Sequence, residues 1–158
     1  MSYNLVHVLH ILFAIVAVGP LLFAPWLSLR LKTCEEEREK FLLLKGLRAI
    51  DIYYNIAGWG LMLSGGVLLY LHEWHRIFQL WFIFSVLLFI VDSIAEKFLR
   101  DPSGEMLNQL TPKATNWNEY SLKMHKAIVI QTVCTACIFI LMLLHSRLPI
   151  KFLMKSFF

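Results

Sequence analysis

From Leu5 to Leu29 the chain contains no Asp, Glu, Lys or Arg. The same lack recurs from Ile52 to Leu71, from Ile77 to Val91 and from Ala127 to Leu144. Charged residues are only 16% of the chain, where soluble domains hold about a quarter. A helix of roughly 20 apolar residues crosses a hydrocarbon core of about 30 Å, so these blocks exclude an ordinary soluble domain. Cysteine is scarce: Cys34, Cys134 and Cys137 give no disulfide framework. Motifs of common soluble catalysis are missing too, with no phosphate-binding glycine loop and no nucleophile–base triad. The His72-Glu73-Trp74-His75 stretch has the glutamate of a zinc protease without its His-Glu-x-x-His spacing.

What remains reads as an all-α protein, an up-down four-helix transmembrane bundle in one domain over 1–158. The expected helices are 4–29, 45–72, 76–99 and 118–146, followed by an amphipathic tail 147–158 that mixes Lys with Phe and Leu. The first helix is read as retained, because its apolar run is too long for a signal peptide and no basic residue precedes it. Pro20 and Pro25 predict a bend in its second half. Thr33 is expected to cap a short surface helix, and Asp101 to Trp117 to form a polar loop.

Basic residues set orientation. Arg30, Lys32, Arg38, Lys40, Lys45 and Arg48 lie between helices one and two, and Arg100 and Lys113 between three and four. These loops are expected on the cytoplasmic side and both termini on the other. The net charge of +4 then reflects topology and not nucleic-acid binding.

This topology gathers five of the six histidines at one membrane face. His7 and His10 open helix one, His72 and His75 end helix two, and His145 ends helix four; His125 lies at the opposite face. Histidines at this depth serve as interfacial anchors or as ligands, and an intramembrane ionisable group is a functional candidate. Small residues lie beneath them: His7, His10, Ala14 and Ala17 on helix one, and Gly58, Gly65 and His72 on helix two. Such stripes admit a close helix or a flat macrocycle.

Haem b fits these features best, since its iron takes neutral imidazoles from opposed helices. His10 is the first-choice ligand, His72 the partner, then His145. His7 and His75 are supporting candidates, Arg76 and Arg147 would meet the propionates, and Phe13, Met62, Leu69 and Ile138 would supply walls. Two His-x-x-His pairs also suit copper or zinc, which gives the alternative of a metal-ion binding or transport protein. A third class is a small structural or assembly subunit of a respiratory membrane complex. Quinone binding, homo-oligomerisation and a haem-dependent oxidoreductase activity are left open.

Cys134 and Cys137 sit mid-helix, where a thiol is inert and small-residue packing is the better reading. Asp51, Asn55, Ser85, Asp92 and Glu96 form polar faces toward the cytoplasm. They read first as interfacial ion pairs with Arg48 and Lys97, and second as a proton relay. Trp26, Trp74 and Trp81 fit interfacial belts.

His10, Gly19 and Pro25-Trp26-Leu27 resemble the first helix of the membrane-bound, haem-carrying protoporphyrinogen oxidase family. That family has a histidine, a glycine about nine residues later and then proline-arginine-leucine. Trp26 stands at the arginine, and Ile77 to Val91 holds no counterpart of the family's later lysine. The copper-resistance D-type membrane proteins look similar at the same coarse level. In size and layout the chain resembles uncharacterised four-helix bacterial integral membrane proteins. The resemblance implies a bacterial inner-membrane location and a haem-linked histidine at His10.

Overall fold

The computed structural model describes residues 2–71, 80–112 and 114–145, the side chains of residues 2 and 145 excepted. All its regular elements are helical. They are α1 (Ser2–Thr33), α2 (Glu37–Leu71), α3 (Leu80–Ala95), a π-helical turn (Glu96–Arg100), α4 (Asp101–Gln109) and α5 (Trp117–His145). Three stretches, Tyr3–Thr33, Glu37–Leu71 and Trp117–Leu144, are long and apolar enough to cross a membrane. α3 is shorter at 16 residues, but helical backbone continues from it through the π turn into α4.

α1 packs against α2 and α5, and α3 packs against α5. The side-chain pairs between neighbours run in opposite senses. His10 meets Ser64 while Arg30 meets Glu39, and Ser28 meets His125 while Leu21 meets Thr132. These neighbours are therefore antiparallel. α1 buries Ala14, Ala17, Leu21, Ala24, Ser28 and Leu31, a strict alternation of three and four residues. That spacing keeps one seam facing a partner, and its alanines let the partner approach closely. His10 extends the seam by one step.

Leu21, Ala24, Leu31, Leu44, Leu47, Leu107, Trp117, Met124 and Ile128 form the main core. It lies in the half of the bundle away from His10. Leu107 and Trp117 contribute to it because Asp101–Gln109 is a helix and not the expected polar loop. Asp101 and Pro102 are the first two residues of that helix, where the chain leaves the π turn with its backbone still helical. α2 begins at Glu37, eight residues before the expected 45, with Glu37 and Glu39 in its first turn. Thr33 caps nothing: it ends α1 and its hydroxyl donates back to the Leu29 and Arg30 carbonyls.

The π turn decides which side chains face inward. Ser85 and Asp92 are buried seven residues apart, and a regular α-helix would next bury Leu99. One extra residue in the turn rotates the face. Arg100 takes the inward position at 2% exposure, followed by Ser103 and Leu107, while Leu99 is exposed. Both prolines lie within one continuous α1. Pro25 has no N–H for the Leu21 carbonyl, and the Thr132 hydroxyl approaches that carbonyl at 3.4 Å.

Candidate functional site

His10 is half-buried at the α1–α2 interface, its Nδ1 2.8 Å from Ser64 Oγ. The direction of that hydrogen bond follows from the serine. Ser64 Oγ lies 2.6 Å from the Gly60 carbonyl and 3.2 Å from that of Leu61. A carbonyl only accepts, so the single hydroxyl proton is committed there. Ser64 must then accept from His10, which places an imidazole proton on Nδ1; the ring also hydrogen-bonds the Leu61 backbone.

The surrounding residues admit this approach by being small. A Cβ on Gly65 would sit 3.4 Å from His10 Cε1, and one on Gly60 would overlap the Phe13 ring at 2.5 Å. Gly65 therefore borders His10. Gly58 does not share this contact, since a Cβ there would meet nothing. The stripe of α2 facing α1 is instead Ala57, Gly60 and Ser64. Met62, expected as a wall, is 50% exposed. His7 is exposed, with its ring 5.9 Å from that of Tyr3.

His72, His75, Arg76 and Arg147 lie outside the described residues, as does the side chain of His145. Among the described residues no three of His, Cys, Asp and Glu come together as a metal-ion site. Cys134 is buried, Cys137 exposed, and both are free.

A second polar centre lies midway along the bundle. Ser64 and Tyr54 are ten residues apart on α2, so Tyr54 is about 15 Å below the His10 level. Its hydroxyl donates to Asp92 Oδ2 at 2.6 Å and lies 3.2 Å from Thr135 Oγ1. One turn further, Arg100 Nη1 donates to Gln131 Oε1 at 2.7 Å. Its Nη2 is 3.1 Å from Asp51 Oδ1, an ion pair without hydrogen-bond alignment. The ion-pair reading of Asp51 is thus right in kind and wrong in partner: Arg100 replaces Arg48. Asp92 pairs with a tyrosine and not with Lys97. Arg100 was hidden because a basic residue after an apolar block looks interfacial, and the sequence gives no sign of the π turn. A cavity of about 220 Å³ reaches this centre, lined by Arg48, Asp51, Arg100, Asp101, Glu105 and Asn108 among others.

The third polar contact, toward the other end of α1, repeats the first. Ser28 Oγ donates to the Pro25 carbonyl at 2.9 Å and lies 2.8 Å from His125 Nδ1. By the same reasoning the proton of His125 is on Nδ1.

A family model described as a predicted integral membrane protein (DUF2269) matches residues 4–151. No curated protein and no solved structure matches.

Proposed function

The chain belongs to the DUF2269 family of predicted integral membrane proteins, and on that premise we propose that it is a membrane-embedded b-type haem protein with His10 as an axial ligand. The observation that carries the reading is the His10–Ser64 hydrogen bond, which would orient the imidazole with Nε2 as the ligand atom. Gly65 beside the ring supports it by leaving the α2 side of the imidazole uncrowded. The second ligand would come from His72 or His145, with Arg76 and Arg147 on the propionates and His7 and His75 nearby. A bound haem supplies one-electron redox chemistry. What the chain contributes is ligand orientation and an apolar site.

In this reading the chain crosses a bacterial inner membrane several times as an up-down bundle. Both termini are outside the cytoplasm, and the basic segment around Arg38 is at the inner face. The haem then lies near the extracytoplasmic face and acts in electron transfer.

The test is the variant His10→Ala. It should insert and fold while losing haem, and full haem content in that variant would sink the assignment. A colourless wild-type protein carrying stoichiometric copper or zinc would favour the metal-ion alternative.

A further inference from the structure

Midway along the bundle, three helices close around one carboxyl group. Asp92 is 2% exposed. Its Oδ2 is held by Tyr54, and its Oδ1 has no hydrogen-bond partner in the protein. The nearest guanidinium, Arg100, is already engaged by Asp51 and Gln131. The other ionisable groups around Asp92 do not neutralise it: Glu96 on the π turn and Asp51 on α2 are acids, and Cys134 on α5 is a buried thiol. Gln131 is fully buried on α5 and leaves its Nε2 donor unpartnered in the same set. An ionised carboxylate without its own cation is expensive at this depth, whereas a neutral acid is not.

We propose that Asp92 is a membrane-embedded proton-exchange site, connected through Tyr54, Arg100, Asp51 and Gln131 to the cavity beside Arg48. Asp51 and Arg100 line that cavity and also belong to the buried set. The cavity has room for several waters. In the exchange step the Oδ1–H bond of Asp92 breaks and its proton passes to water, giving hydronium. The electron pair of that bond stays on the carboxylate, which the Tyr54 O–H and the nearby Arg100 stabilise. Reprotonation reverses the step and needs no other reactant. This proposal stands on different residues from the His10 reading and survives its failure.

Infrared spectroscopy of the full-length protein in lipid vesicles tests it, with Asp92→Asn as the difference partner. Asparagine keeps an oxygen for the Tyr54 hydroxyl. A carboxylic-acid C=O band at neutral pH that is lost in Asp92→Asn and shifts promptly in D2O is expected. Tyr54→Phe should move that band without abolishing it. Carboxylate bands alone, or an acid band that ignores D2O, overturn the proposal. A second readout needs no variant. Dicyclohexylcarbodiimide attacks protonated carboxyls in apolar surroundings, so its adduct should map to Asp92 by mass spectrometry. Absence of that adduct contradicts the proposal.

Discussion

His10 and Ser64 are 54 positions apart in sequence and 2.8 Å apart in space. Because Ser64 donates to its own helix, it can only receive from the histidine. Removing the hydroxyl with Ser64→Ala should leave the helix pair intact and free the imidazole to rotate. Loss of such an orienting hydrogen bond weakens a bound metal group by about 10–100-fold. Haem titration of the purified variant checks this, and wild-type affinity would separate Ser64 from the site.

Gly60 on α2 packs against the Phe13 ring of α1. A Cβ at Gly60 would lie 2.5 Å from the Phe13 ring, so Gly60→Ala must displace that ring. Overpacking of this kind destabilises by about 1–3 kcal/mol. Gly58→Ala, where a Cβ meets nothing, should be neutral or mildly stabilising. Unfolding of the two variants in mixed micelles distinguishes them, and equal stability would contradict the packing described.

Arg100 is buried against Asp51 and Gln131. Removing one partner of a buried pair costs about 3–5 kcal/mol, and the 26% exposure of Asp51 moves the expectation for Arg100→Met to the lower end. Asp51→Asn in the same chain should recover part of the loss. Additive losses in the double variant would show that the two side chains do not interact.

Cys34 joins α1 to α2, outside the apolar spans. Burial, with Glu39 adding to it, pushes its thiol up. The thiolate is the reactive form, so maleimide labelling should be slow at neutral pH and accelerate as pH rises. With Cys134 and Cys137 replaced by serine, an impermeant maleimide should label Cys34 in inside-out vesicles and not in intact cells. Labelling in intact cells would reverse the orientation proposed.

All four apolar helices, α1, α2, α5 and the shorter α3, were legible as uncharged blocks, because lipid excludes charge over a fixed thickness. The ends of the helices were not. Glu37 to Leu44 and Asp101 to Gln109 carry charge and continue beyond the apolar blocks, and their helicity rests on first-turn acids and on packing of Leu44 and Leu107. His10 and Gly65 were each singled out from depth and residue size, but on separate helix stripes; their contact shows only once the helices are placed. Ser64 was missed because a lone serine in an apolar helix carries no signal until its partner is placed. The Asp92 centre was read as interfacial, since only the π turn shows that Arg100 points inward to join it.

The most direct measurement is the optical spectrum of the detergent-purified protein, oxidised and then reduced with dithionite. The account predicts a Soret band that sharpens and resolved reduced bands in wild type, lost in His10→Ala. A colourless wild-type protein from haem-replete cells would contradict it.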